Sequence, residues 1–266
     1  KPTRSGRDVN LSELCQYRQL LFFFTWRDLK VRYKQTVIGV FWALLQPFIT
    51  MVVFTVFFGN FAKIPSDGVP YPIFVYVGLL LWQLFSSSLT DIANSLITNQ
   101  SIITKVYFPR LLVPLSSVFT HLVDFFISSF ILGALMIYYR FLPQIEGLFI
   151  LPIIIIITCL TAVGLGLILA SLNVKYRDVR YALPFFIQTL LFVTPVIYPA
   201  SLLGDKMWLL GINPLAGVIS TVRTTLFGLG GISWISLSVS LVSGIILFVV
   251  GVILFRRTEA NFADII

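Results

Sequence analysis

Apolar and polar positions divide the chain into six long greasy segments separated by short polar breaks. The first carries no ionisable side chain from Thr36 to Phe61. A hydrocarbon core about 30 Å thick needs about 20 helical residues to cross, which predicts a first span near 36–60. Further spans are expected at about 71–90, 111–139, 148–173, 181–198 and 233–255. Lipid offers no partner for a backbone N–H or C=O, so each span must be a helix.

Residues 199–231 break this rhythm. Their apolar patches at 207–212 and 215–227 are each too short to cross, and Asn213-Pro214 interrupts them. Leu215, Ile219, Val222 and Leu226 keep helical spacing in the second patch. A re-entrant hairpin between the fifth and sixth spans is the expectation; a helix lying flat on the outer leaflet is the alternative.

Ahead of the first span, Ser12 is placed to cap a helix with Leu14, Tyr17, Leu21 and Phe24 on one stripe. Trp26, Leu29 and Tyr33 continue at spacings of 3 and 4, while Arg27, Lys30 and Lys34 repeat that spacing about 100° round the helix. Such a helix lies at a membrane surface, rings among acyl chains and cations at headgroup level or against a cytoplasmic partner. The chain therefore reads as an all-α integral membrane protein. Residues 1–35 form a tail and amphipathic interface helix, and residues 36–266 form a six-span domain.

Composition agrees. With 58% hydrophobic and 11% charged residues, the chain is far from the roughly 25% charge of soluble domains. Its net charge of +8 is dispersed between spans rather than gathered on one face, which excludes a nucleic-acid surface. Positive-inside topology explains it. Fifteen Lys and Arg fall on the side of the two termini, against Lys63, Arg140, Lys206 and Arg223 on the other, so both termini are expected in the cytoplasm and the chain in the cytoplasmic (inner) membrane. The short run Leu20–Phe24 is no signal-peptide core, and Cys15 and Cys159 make neither a disulfide framework nor a metal site.

Several polar stripes lie inside the spans. Gly39, Ala43, Gln46 and Thr50 follow one another on the first, and an amide there faces protein or a wet path. Tyr181, Phe185, Gln188 and Phe192 form a second stripe on the fifth span. Rings stack on the apolar faces of pyranoses and amides exchange hydrogen bonds with hydroxyls, so these stripes suit a sliding sugar chain; core or lipid contact is the plainer reading. On the third span Ser117, His121, Asp124 and Ser128 share a face. Asp124 is either part of a proton relay with His121 or hydrogen-bonded to a neighbouring helix, and the second is favoured because no other acid falls within an expected span. Gly164, Gly166, Ser236, Ser240, Gly244 and Gly251 mark close-packing surfaces within the fold or across a dimer. The sequence carries no phosphate-binding Gly-x-x-x-x-Gly-Lys-Ser/Thr loop, no His/Cys metal spacing and no paired carboxylates, so no cofactor is expected on this chain.

Three stretches carry a family resemblance: Arg27-Asp-Leu-Lys-Val-Arg-Tyr-Lys-Gln-Thr-Val-Ile-Gly-Val-Phe-Trp-Ala-Leu-Leu-Gln-Pro47; Leu172-Asn-Val-Lys-Tyr-Arg-Asp-Val-Arg180 running on to Thr194-Pro-Val-Ile-Tyr-Pro199; and Asn213-Pro-Leu-Ala-Gly217. With the six-span layout they resemble the permease subunit of ABC transporters that export O-antigen, capsule or teichoic acid polysaccharides. The resemblance implies a homodimer with two copies of a separate ATPase, which would bind ATP and Mg, and a channel between permeases for a lipid-linked glycan. It also implies an interface helix bearing Arg27, Lys30 and Lys34, a coupling helix in the loop 91–110 that meets the ATPase through Asn99, Ser101 and Ile103, and an external gate with Trp208, Asn213 and Pro214. An exporter of drugs or lipids with the same architecture, and a membrane-embedded glycan or lipid transferase, are the alternatives.

Overall fold

A helix that is apolar all round belongs inside a protein rather than on its surface, and the stretch 71–82 that begins helix Tyr71–Thr98 is the case here. The computed structural model describes residues 16–34, 40–106, 108–176, 178–202 and 213–259. In chain order its helices are α1 (Arg18–Lys34), α2 (Val40–Phe54, continued by a wider π turn over Thr55–Phe61), α3 (Tyr71–Thr98), α4 (Gln100–Ile103), α5 (Leu112–Tyr138), α6 (Ile145–Lys175), α7 (Asp178–Val193), α8 (Pro214–Leu226) and α9 (Trp234–Glu259). Among the described residues all regular structure is helical. Helix α3 is the hub, packed against α2, α5, α6, α7 and α8, with α9 laid along α6 and α8.

Among the described residues, five helices are long and apolar enough to cross a membrane: Phe41–Phe61, α3, α5, α6 and α9. The chain is a multi-pass membrane protein. The third, fourth and sixth expected spans fall on α5, α6 and α9, but three boundaries move. Helix α3 runs on to Thr98 instead of giving way to a loop at Asp91, because its polar side chains return to their own helix: Thr90 Oγ1, Asn94 Nδ2 and Thr98 Oγ1 each donate to the carbonyl four residues back at 2.7–3.1 Å. Arg256 and Arg257 end the apolar run of α9 but not its helix, which continues to Glu259. The fifth expected span shortens to the 16-residue α7, about 24 Å long, because Pro195 and Pro199 cannot continue the ladder.

Beyond α7 the backbone of Thr194–Tyr198 is irregular, and residues 194–197 are buried. Its carbonyls are met by Arg223 of α8, which donates to Pro195 (2.6 Å), Val196 (2.5 Å) and Tyr198 (3.4 Å), and also to Phe74 of α3 (3.2 Å). The guanidinium stacks 3.7 Å above the Phe74 ring. Arg223 is thus no loop charge, as the topology count had it; with it removed the imbalance of cations only sharpens. Most of α8 is buried, on more than one face, so the helix packs within the protein. The first arm of the expected hairpin, including Trp208, lies outside the described residues.

The small residues work within one chain. A β-carbon on Gly251 of α9 would collide with the backbone of Gly164 on α6, and one on Gly164 would lie 2.5 Å from Leu247. Gly166 accommodates Ile92, and Gly244 faces Thr161. Backbone-to-backbone approach of this kind is how helices gain contact where lipid competes with every apolar side chain.

Candidate functional site

The C-terminal end of α1 reaches two spans at once. Arg32 donates to Asp124 of α5 through Nη1 and to Asp91 of α3 through Nη2, the latter at 3.2 Å. His121, one turn before Asp124, stands between the acids: Nε2 is 2.7 Å from Asp91 Oδ2, and Nδ1 is 3.3 Å from Asp124 Oδ2. Tyr33 also donates to Asp124. Burial, reinforced by that bond, holds the Tyr33 phenol well above its ordinary value, so it remains a donor. Tyr33 therefore turns inward instead of lying among acyl chains with Trp26. Asp124 bonds to a neighbouring helix, as favoured; the second acid that the sequence reading denied it is Asp91, carried into the same site by the longer α3.

This network floors a cleft of about 990 Å³ between α2 and α7, backed by α3 and α5. Its α3 wall sets a polar ladder of Gln83, Ser86, Ser87 and Thr90, leading down to Asp91, beside the apolar Leu80, Trp82 and Leu84; Trp42, Ala43, Gln46 and Pro47 line it from α2, Phe125 and Ser128 from α5, and Ile187 from α7. Ser128 Oγ ties α5 to the Ala43 carbonyl at 2.9 Å. Of the expected path residues, Gln46 is in the cleft. Thr50 is half-buried one turn on and returns its hydroxyl to the Gln46 carbonyl. Tyr181, Phe185, Gln188 and Phe192 stand on the outward face of α7, with Tyr181 82% and Phe185 75% exposed. The chain alone does not gather the six. Gly39 lies outside the described residues.

At the other end of α1, Phe24 is buried with Leu96, Ile103 and Phe108, while Tyr17, Leu20 and Leu21 pack on the same cluster. Arg27 donates to Asp28 and, at 2.8 Å, to Asn99 Oδ1, so two expected coupling residues meet. Lys30 lies 5.4 Å over the Trp26 ring, and Lys34 is exposed. Ser101 is exposed on α4, but Ile103 is only 8% exposed. In this chain Ile103 roots α4 in the protein's own core. Phe22, Phe23 and Trp26 form the outward apolar face of α1.

The expected gate residues also meet their neighbours. Asn213 caps α8 by accepting from Leu215 N at 3.0 Å and donates to Thr194 Oγ1 at 2.7 Å. Pro214 is buried at the first turn of α8. Thus Thr194-Pro195 and Asn213-Pro214, distant in sequence, form one joint.

The model of the family described as ABC-2 type transporter matches residues 19–227, from the first turn of α1 to just past the end of α8. The chain belongs to the ABC-2 type transporter family. Its relatives include an O-antigen export system permease protein of Klebsiella pneumoniae, 32% identical over 248 residues covering 93% of this chain and 95% of that protein. One of the same description from Myxococcus xanthus is 31% identical, covering 81% and 83%. A polysialic acid transport protein of Escherichia coli is 22% identical, covering 88% and 91%. The resemblance drawn from the three motif stretches therefore holds.

Two residues of this ABC-2 chain that sequence reasoning passed over are Arg32 and the α3 ladder's anchor, Asp91. A signal existed: Gln83, Thr90, Asn94 and Thr98 recur at helical spacing across the assumed end of the span, and a carboxylate at Asp124 demanded a cation nearby.

Proposed function

We propose that this chain is the membrane subunit of an ATP-driven exporter that carries a lipid-linked polysaccharide, of O-antigen, capsule or teichoic acid type, across the cytoplasmic membrane. The observation that carries the reading is the cleft: a ladder of neutral hydroxyls and the Gln83 amide on α3, faced by Gln46, beside the exposed aromatic stripe of α7. Neutral donors and acceptors exchange sugar hydroxyls without fixing one register, and rings offer stacking surfaces at each step. A cleft open on one side and an aromatic stripe outside it make half a conduit. A second copy of the chain, facing the first, completes it and brings Gln46, Thr50, Tyr181, Phe185, Gln188 and Phe192 to one lumen.

Energy comes from two copies of an ATPase partner, which bind ATP and Mg and bear on the surface of Arg27, Lys30 and Lys34 and on α4 with Asn99 and Ser101. Both termini face the cytoplasm. Helix α7, its irregular end and the buried α8 provide the remaining crossing and the inner arm of a re-entrant gate at Asn213 and Pro214, with Trp208 in the other arm. Residues 1–35 form the interface unit and 36–266 the transmembrane domain. The relatives named for O-antigen and polysialic acid support a glycan as cargo over a drug or a transferase substrate.

The test is transport by vesicles that hold the permease, its ATPase and a lipid-linked O-polysaccharide. ATP should move the glycan across, and making the ladder apolar (Gln83→Leu with Thr90→Val) should slow it at least tenfold while the complex stays assembled. Unchanged glycan transport by that variant, or ATP-driven movement of hydrophobic drugs in preference to the glycan, overturns the reading.

A further inference from the structure

Contacts between the hydroxyl ladder and sugar hydroxyls make no use of the four ionisable groups at the cleft floor. Arg32, Asp91, His121 and Asp124 come from three helices and sit where charge is costly; as packing, an apolar set of the same volume would serve as well or better. Their position gives the reason. Arg32 and Asp91 line the large cleft and, from the other side, a second polar cavity of about 190 Å³ that opens among Arg27, Asn94, Thr98 and Asn99. The pair is the partition between the two. Each remains partly exposed, Arg32 at 36% and Asp91 at 44%, while His121 beneath them is nearly inaccessible.

We propose that Arg32 is a positioning residue for transport: by bridging Asp91 and Asp124 it latches α1 to the two spans that wall the cleft, and its release on movement of α1 opens the cleft floor. This rests on the ATP-driven reading above. The network has two arrangements without a stranded charge. With Arg32 on both acids the partition is closed. With Arg32 withdrawn toward Asp124, Asp91 keeps His121 Nε2 at 2.7 Å, so the carboxylate that swings free of Arg32 retains a buried partner. A two-state element of this kind, biased from one end by the helix that meets the ATPase, converts a push on α1 into displacement of α3 against α5. The route runs through side chains to the second and third spans, with Arg27 and Asn99 fixing the far end of the same lever.

The experiment uses the whole transporter, permease with ATPase, in vesicles carrying the lipid-linked polysaccharide, and reads ATP hydrolysis and glycan export separately. Arg32→Gln should assemble at parental level and hydrolyse ATP within about twofold of the parent, yet export at least tenfold less, because the partner's stroke no longer reaches the cleft. The exchanged pair Arg32→Asp with Asp124→Arg should recover a third or more of export. Arg32→Lys, whose single ammonium cannot span both acids, should uncouple as Arg32→Gln does. Export by Arg32→Gln within twofold of the parent overturns the latch. So does a proportional fall of hydrolysis and export with no recovery in the exchanged pair, or loss of both single variants from the membrane, since either marks a purely structural network. A parent complex without ATP-dependent export would instead overturn the proposed function.

Discussion

The guanidinium of Arg27 donates to the side-chain oxygen of Asn99 at 2.8 Å, joining the N-terminal helix to the end of α3 across 72 residues of sequence. It lies 5.1 Å over the Phe24 ring, whose own partners include Phe108. Surface, turn and core therefore share one corner, and substitutions within a few residues of each other have opposite meanings.

At that corner, Ser101→Trp should leave the protein in the membrane at normal amount but reduce stimulation of the partner ATPase several-fold, since the exposed turn is altered. Ile103→Asp should instead lower the amount of folded protein, because a carboxylate placed among Phe24, Leu96 and Phe108 loses solvation worth several kcal/mol. Immunoblots of membranes and detergent melting curves separate the two; equal amounts of both variants would count against the buried placement of Ile103.

Helix α6 and helix α9 cross through glycine. Gly251→Val should lower the thermal midpoint strongly, with a cost of about 3 kcal/mol or more as the helices are forced apart. Gly133→Ala on α5, where an added β-carbon meets nothing within 4 Å, should be neutral or slightly stabilising, by up to about 1 kcal/mol. Melting in detergent measures both.

For the aromatic stripe of α7, Phe192→Ala removes an exposed ring and opens no cavity. Export should slow several-fold with protein level and ATPase activity retained. An unchanged rate at equal protein level would assign the stripe to lipid.

Orientation is checked by cysteines introduced at single positions. Lys105→Cys and Lys175→Cys should react with an impermeant maleimide only after the cell is opened, and Lys63→Cys and Arg140→Cys in intact cells. Reaction of the Lys105 position from outside would reverse the topology.

The spans on α5, α6 and α9 were legible because length and hydropathy alone determine them. Gly164 and Gly251 were legible as close contacts, though not that they meet each other. The end of α3 was not, since Asp91, Asn94 and Thr98 look like a loop until their side chains are seen returning to the helix and facing cavities. Arg223 was read as a loop cation because composition cannot distinguish a charge in water from one enclosed by carbonyls. The two ends of the Arg32 network are 92 residues apart, and no local pattern joins such positions.

The enclosure of Arg223 has a consequence for biogenesis. The carbonyls of Pro195, Val196 and Tyr198 emerge from the ribosome before the guanidinium that will satisfy them, and lipid supplies no substitute donor. Until α8 is made, the end of α7 is an open backbone in or beside the bilayer. The irregular end of α7 and helix α8 must therefore settle together, late and around an arginine, and a nascent chain halted before Arg223 should be held by the insertion machinery or by water rather than released into lipid.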